Sequence, residues 1–241
     1  MKNTQRLFLT TAFCALVSCA SATASSYYKT GAVLGTGLGY SHLSSKTNDN
    51  FLFNAGNVEN GSFKKSTRSN GFVADVFAGY RFLLKEKFIA GLNVTFTKDT
   101  NTLKTTHSLP TFRSGSTTKL YRQFAVTPEL AAGYIFAKQW MAYLKLGLSI
   151  SRFKLDNKLV SPTSTISADK TVTRVAFKPT LGLEYAMNNK ASVFTDVSYE
   201  YIKPIKVKLP NPTGTIDPNA THDVKVRPHY FTAKVGVLYK F

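Results

Sequence analysis

Charged residues inside otherwise apolar, alternating segments are the first candidates for chemistry in this sequence. Six stand out: Asp75, Arg81, Glu129, Lys145, Lys178 and Glu200. Three more extend this set: Glu184, Asp196 and Lys234. Folding adjacent segments about their turns brings Glu129 close to Lys145 and Lys178 opposite Glu200. Buried charges need partners, so we predict interior ion pairs. We favour a structural plug over a gated, charge-lined channel, because breaking a buried pair is strongly destabilising.

The segments that position these charges are predicted to be β-strands, because apolar residues alternate with Gly, Ser, Thr, Asn and charged residues. Eight strands are predicted, over about 30–43, 71–82, 88–97, 121–136, 140–153, 174–187, 191–201 and 228–241. Tyr80, Tyr134, Tyr185 and Tyr239 end similar segments about 50 residues apart, and such a period indicates an internal repeat. Pro128 and Pro179 occupy equivalent repeat positions, where we expect bulges.

The connections between these strands are of two kinds. Three turns are only a few residues long, whereas four polar loops are predicted over about 44–70, 98–120, 154–173 and 202–226. Short turns at one end and long loops at the other are typical of transmembrane barrels. A soluble lipocalin-like barrel also alternates, but its outer face should be dense in Lys and Glu. The small residues and scattered charges of the polar face favour a crowded interior instead.

The first 24 residues are predicted to be a cleaved signal peptide, because a positive start and a short apolar run precede the small-residue site at 22–24. The alternative is a lipoprotein signal at 16–19 that would leave Cys19 lipidated. Both cysteines, Cys14 and Cys19, lie in this leader. Residues 25–241 are expected to form one domain without disulfides. No apolar stretch approaches the roughly 18–20 residues of a transmembrane helix.

The final segment, with Val237, Tyr239 and Phe241 on one apolar face, resembles the closing strand of bacterial outer-membrane β-barrels. Together with the repeated strand ends and the loop asymmetry, it makes the whole mature chain similar to the small outer-membrane β-barrel family that includes opacity proteins and the OmpA transmembrane domain. The resemblance implies an all-β, eight-stranded antiparallel transmembrane barrel with short periplasmic turns and four long extracellular loops. It also implies that the outer-membrane assembly machinery reads the terminal strand.

The family includes adhesins, envelope-anchoring proteins and surface antigens, so the resemblance specifies architecture better than activity. No peptidoglycan-binding domain is expected after Phe241. Two functions remain open: a structural or adhesin-like surface protein, and a small pore for ions or metabolites.

The chain has a net charge of +18, and the predicted loops carry a basic excess, with fifteen Lys or Arg residues against seven Asp or Glu residues. The basic set comprises Lys64, Lys65, Arg68, Lys104, Arg113, Lys119, Lys203, Lys206 and Lys208. Because the leader exports the chain, the expected partners are outer-membrane lipid, lipopolysaccharide or a host-surface ligand rather than nucleic acid. Basic segments are attracted to anionic membrane surfaces, although solubility and neutral variation of exposed loops explain the same excess.

An enzyme is not predicted. The spacing of Glu184, Asp196 and Glu200 does not select hydrolysis over ion pairing. His42 and His229 share the outward parity, and a lipid-A deacylase would place a Ser–His pair on such an outer wall, but no serine is clearly placed to serve. The histidines show no metal-ligand spacing. We therefore predict no catalytic residues, metal or cofactor.

Overall fold

The computed structural model describes residues 27–54, 58–109, 114–160, 165–209 and 222–241. The predicted leader and Arg113 lie outside the described residues. Ten strands are formed: β1 (Gly31–Asn54), β2 (Val58–Leu84), β3 (Phe88–Asp99), β4 (Thr102–Leu109), β5 (Ser114–Ala137), β6 (Trp140–Val160), β7 (Thr165–Ala186), β8 (Ala191–Ile202), β9 (Ile205–Leu209) and β10 (His222–Lys240).

The strands form one antiparallel sheet that closes on itself. Its order is β1-β2-β3-β5-β6-β7-β8-β10, and β10 pairs back onto β1 from Lys240 opposite Val33 to His222 opposite Phe51. β4 continues the line of β3 along β5, and β9 continues β8 along β10. The ring therefore has eight strand positions, two of which are interrupted, which confirms the predicted eight-stranded antiparallel barrel.

The four long loops were predicted at the wrong length. Strand pairing continues far into them, so that Lys64 lies opposite Asn48 in the β1–β2 hairpin and Lys104 lies opposite Lys119 on β4 and β5. The prediction ended each strand where the outward apolar alternation ended. Backbone pairing does not depend on that alternation, and Thr-rich polar segments also suit strands. The described parts of the four regions are mainly long β-hairpins.

The predicted bulges at the two prolines are also absent. The β3–β5 register passes through Pro128 opposite Val94, and the β6–β7 register passes through Pro179 opposite Leu146. Pro128 is skipped in the β5–β6 pairing, and Pro179 is skipped in the β7–β8 pairing. Neither gap changes the register of its strand pair. A register shift does occur between Arg122 and Phe124. This shift exchanges the inward and outward faces of β5, as one extra residue must.

The outer wall of the ring is apolar across its middle. Side chains such as Leu38, Phe72 and Leu130 are 66%, 75% and 63% exposed, although they are large and hydrophobic. Across the same strands the inward positions are buried and alternate with them. An apolar outside and a polar inside are the reverse of a soluble barrel and suit a lipid environment.

Two aromatic belts border this apolar wall. The lower belt lies at the end with the three short turns, here the turn end, and has ring pairs at centroid distances of 4.9–5.2 Å: Tyr80–Phe82, Phe88–Tyr134, Trp140–Tyr185 and Tyr239–Phe241. The upper belt lies toward the opposite, hairpin end and includes Tyr40–Phe72, Phe96–Phe124 and Tyr199–His229. The two belts lie about 8–10 residues apart along each strand. On tilted strands this distance covers the roughly 25 Å apolar band of a membrane barrel.

Above the upper belt the pattern inverts, because the inward side chains become apolar. A buried cluster fills the interior there and comprises Leu43, Leu103, Leu120, Phe153, Leu155, Ala176, Ile202, Ile205, Val226 and Tyr230. A second cluster fills the turn end and includes Tyr28, Val33, Ile89, Ile135, Met141 and Leu238. In the part of the chain that the structure describes, no helix is long and apolar enough to cross a membrane.

Candidate functional site

Among the residues that the structure describes, the interior of the ring holds ionic residues of both signs in equal number. The buried cations are Arg81, Arg122, Lys145, Lys178, Lys234 and Lys240, and the buried anions are Asp75, Asp99, Glu129, Glu184, Asp196 and Glu200. Their formal charges cancel, so the net charge of +18 is carried outside this interior. A neutral set of buried charges can satisfy itself by pairing.

A central ion cluster comprises Asp75, Lys145, Asp196 and Lys234. Lys234 Nζ donates a hydrogen bond to Asp75 Oδ2 and lies 3.5 Å from Asp196 Oδ1, while Lys145 Nζ lies 3.6 Å from Asp196 Oδ2. The ammonium of Lys145 also lies 4.8 Å from the centroid of the Tyr143 ring. The rings of Phe77 and Phe194 complete this layer at 5.1 and 5.6 Å from the same ammonium. The aromatic faces and the carboxylates together compensate for the hydration that the Lys145 ammonium loses on burial.

Glycines make room for this layer. A side chain at Gly35 would meet the ring of Phe77, and one at Gly182 would meet the ring of Tyr143. The glycines on the inward face therefore allow large rings to lie flat against the wall of a narrow barrel.

An upper ion cluster comprises Asp99, Arg122 and Glu200. Arg122 Nε donates to Asp99 Oδ2 at 2.5 Å, and its Nη1 donates to Glu200 Oε2 at 2.8 Å. The guanidinium carbon lies 4.2 Å from the centroid of the Tyr230 ring, and Ser151 Oγ donates to the second oxygen of Glu200 at 3.2 Å. The sequence reading missed Arg122, because the bulge beside it gives it the parity of an outward residue.

The turn end is sealed by Tyr28 and a third group of charges. Arg81 Nη1 donates to Glu184 Oε2 at 2.7 Å, and Lys240 Nζ lies 3.5 Å from the other oxygen of Glu184. Tyr28, which is 1% exposed, lies under Lys240 with the ammonium 4.4 Å from its ring centroid. The Tyr28 hydroxyl donates a hydrogen bond to the carbonyl oxygen of Gln139 at 2.9 Å. The first predicted strand began at about Thr30, so the prediction did not include this seal.

The pairs predicted between neighbouring strands differ from the pairs that form. Glu129 Oε2 accepts a hydrogen bond from Thr95 Oγ1 at 3.1 Å, while Lys145 pairs with Asp196 on another wall. Lys178 falls in register with Glu200 as expected, but within the described chain no carboxylate oxygen lies within 4.0 Å of its ammonium. The prediction considered only adjacent strands, whereas long side chains in a narrow lumen reach across it.

The described residues of the predicted basic set lie above the upper belt. Lys64, Lys65, Arg68, Lys104, Lys119 and Lys203 are all exposed, while Lys206 and Lys208 are placed only as backbone positions on β9. Lys65 Nζ donates to the carbonyl oxygen of Thr106 at 3.2 Å. The described acidic side chains that are exposed or half-exposed in this region are Asp156 and Asp169.

Each of the two outward histidines contacts a side chain other than serine. His42 Nδ1 lies 2.6 Å from Asn70 Oδ1, and His229 Nδ1 lies 3.3 Å from the hydroxyl of Tyr199. Ser44, which the sequence reading did not consider, lies directly opposite His229 on β1. Between the described side chains, however, no hydrogen bond joins this serine to the imidazole. Over the described ranges, no cluster of three His, Cys, Asp or Glu side chains is arranged to hold a metal ion.

A cavity of about 350 Å³ opens at the turn end beside the β1–β10 seam. Its lining includes Lys29, Arg81, Lys190 and Lys240. Arg81 and Lys240 already bind Glu184. The cavity is therefore the mouth of the sealed lumen rather than a separate site.

Comparison with known proteins agrees with this architecture. A family model described as the outer membrane protein beta-barrel domain matches residues 11–241. The outer membrane protein OprG of Pseudomonas aeruginosa superposes with a TM-score of 0.53 at 16% identity, over 90% of this chain and 99% of that one. The outer membrane protease OmpT of Escherichia coli gives 0.51 at 11% identity, over 87% and 97%. Neisserial surface protein A gives 0.40 at 16% identity, over 85% and 97%. No protein of the curated set matches the sequence.

Proposed function

Because the chain belongs to the outer membrane protein beta-barrel domain family, we propose that it is a non-enzymatic surface protein whose basic hairpin end binds anionic groups. Its place is the outer membrane, where the apolar wall between the two belts faces lipid. We propose that the hairpin end faces the exterior and that the three short turns face the periplasm. The ligands are anionic groups of the envelope or of a host surface.

The observation that carries this proposal is the separation of charge between the interior and the exterior. The buried ionic residues balance one another, while the exposed charged side chains that are described at the hairpin end are mainly cationic. An eight-stranded barrel has an interior just wide enough to be filled by side chains. Here apolar clusters close it above and below the ion pairs. Such a barrel is suited to present its outer surface rather than to conduct.

A binding measurement with a soluble polyanion tests the surface function. The purified barrel in neutral lipid vesicles should bind dextran sulfate and not uncharged dextran, and binding should weaken steeply with salt because exposed charges are screened. Substituting Lys65, Lys104 and Lys119 together with glutamine should weaken binding, while gel mobility shows that the barrel remains folded. Equal binding of charged and uncharged dextran would contradict the proposal.

One observation favours the alternative of a small pore. Lys178 lies buried with no carboxylate oxygen of the described residues within 4.0 Å of its ammonium, and a buried unpaired charge is costly unless water reaches it. A hydrated path beside Lys178 would make the lumen a gated conduit. Planar-bilayer recordings separate the two functions. We expect no reproducible channels, whereas channels whose conductance changes with Glu129→Gln or Lys178→Gln would establish the pore.

A further inference from the structure

The three strands at the closing seam carry a block of nine outward positions that begins at His229 in the upper belt and continues above it. Its three rows across β10, β1 and β2 are Lys225–Asn48–Lys64, Arg227–Lys46–Ser66 and His229–Ser44–Arg68. Five of these nine residues are Lys or Arg and none is acidic. Lys46, Lys64, Arg68 and Arg227 are exposed, and Lys225 is half-exposed. We refer to these nine residues as the seam patch.

The seam patch places cations at directly opposite positions of neighbouring strands. Lys46 lies directly opposite Arg227 in the β1–β10 register, and like charges in such positions repel each other. Arg68 follows one row below and one strand away. An arrangement of this kind is stabilised when an anion lies between the cations. Arginine is well suited to that role, because its planar fork can donate two hydrogen bonds to one phosphate.

On the side of the barrel opposite the seam, Lys154 is already paired. On β6, Lys154 Nζ lies 3.4 Å from Asp156 Oδ1 and 3.4 Å from Asp169 Oδ2. The hydrogen bond with Asp169 and the charge of Asp156 raise the pKa of Lys154. Lys154 thus has carboxylates beside it, whereas the nine positions of the seam patch include no acidic residue.

The height of the seam patch determines which anion can reach it. The outward row directly below it is Phe231–His42–Asn70, in which Phe231 is 51% exposed, and the next row down holds Tyr40 and Phe72, which are 50% and 75% exposed on the outer wall. The patch therefore begins where the apolar wall ends and extends about 14 Å along the strands. Outward side chains at this height, just above the apolar band, face the headgroup layer of a membrane.

We propose that the seam patch binds the phosphate groups of a diphosphorylated glycolipid in the surrounding outer leaflet. The phosphates lie between Lys46, Arg227 and Arg68, while the acyl chains of the same molecule pack on the aromatic and aliphatic wall below. This inference deepens the proposed function and rests on it, because it assigns one envelope ligand to one part of the basic surface.

Lipid binding by the intact barrel tests the inference. The purified protein in neutral detergent micelles is titrated with diphosphoryl lipid A and, separately, with dephosphorylated lipid A. The variant Lys46→Gln/Arg227→Gln should weaken binding of diphosphoryl lipid A by about 30-fold, which corresponds to about 1 kcal/mol for each charge removed near a membrane surface. The charge-conserving variant Lys46→Arg/Arg227→Lys should retain binding.

A matched control removes two exposed cations from the opposite side of the barrel. Arg152→Gln/Lys158→Gln on β6 should change the affinity for diphosphoryl lipid A by less than about twofold. An equal loss of affinity for diphosphoryl lipid A in the seam and control variants would overturn the proposed site, because binding would then depend on the overall positive charge rather than on the seam patch. Equal binding of dephosphorylated lipid A would overturn phosphate recognition. In either case dextran sulfate binding by the wild-type barrel would leave the broader function standing, and its absence would remove both.

Discussion

Arg122 on β5 and Glu200 on β8 join two walls of the barrel that are not neighbours in the sheet. Their side chains meet at 2.8 Å across the lumen, although β6 and β7 separate their strands in the ring. Asp99 holds the same guanidinium at 2.5 Å from a third wall. The contact therefore acts as a cross-brace, which no pairing between adjacent strands can provide.

Replacing Arg122 should destabilise the barrel strongly. In Arg122→Met two buried carboxylates lose their shared cation, and breaking a buried pair in this way costs about 3–5 kcal/mol. Urea unfolding of the vesicle-inserted barrel, followed by gel mobility, measures the change. The exposed Arg152→Met should change stability by less than about 0.5 kcal/mol. Similar stability of both variants would contradict the role assigned to the brace.

The seal at the turn end should depend on both the ring and the hydroxyl of Tyr28. Tyr28→Ala removes a buried aromatic ring and should cost about 3–5 kcal/mol. Tyr28→Phe keeps the ring under Lys240 and loses only the hydroxyl, which donates to the carbonyl oxygens of Gln139 and Glu184, so it should cost about 1 kcal/mol. The same unfolding assay measures both. An equal and small effect of the two substitutions would show that residues 27–28 do not seal the lumen.

The strand faces and the closing ring could be predicted from the sequence, because a period of two carries that information directly. The inward placement of Asp75, Glu129, Lys178 and Glu200 followed from parity alone. Parity failed at Arg122, since the register shift beside it reverses the faces within one strand.

Ion-pair partners could not be predicted either, because they depend on reach across the lumen rather than on strand order. The length of the hairpins was underestimated for a different reason. Outside the membrane the apolar side chains turn inward, as Phe153 and Leu155 do. An alternation defined by lipid contact therefore ends before the strand does.

Cysteine labelling tests the proposed orientation. The predicted mature chain has no cysteine, so single substitutions report without background. An impermeant maleimide should label Lys64→Cys and Lys119→Cys on intact cells, because both positions lie above the upper belt. Lys138→Cys lies in a short turn and should be labelled only after the outer membrane is permeabilised. Labelling of Lys138→Cys on intact cells would reverse the topology.

Phe241 extends the seam that closes the ring. Its backbone N–H donates to the carbonyl oxygen of Ala32 at 3.0 Å, and its ring packs edge-on against Tyr239 at 5.0 Å in the lower belt. Val237 and Tyr239 share its outward face. Losing this contact removes about one hydrogen bond, a cost of about 0.5–1.5 kcal/mol. That cost is small for the folded barrel.

Deletion of Phe241 should nevertheless have a large effect in cells, because we propose that Val237, Tyr239 and Phe241 form the strand signature that the assembly machinery reads. Folded, heat-modifiable protein in outer-membrane fractions should fall severalfold for the deletion and for Tyr239→Asp/Phe241→Asp, and it should stay unchanged for Lys65→Gln. Purified Phe241-deleted protein should still refold into detergent micelles, because its seam loses a single bond. Normal membrane levels in cells would contradict the recognition role, and failure to refold in micelles would assign the defect to the closing seam itself.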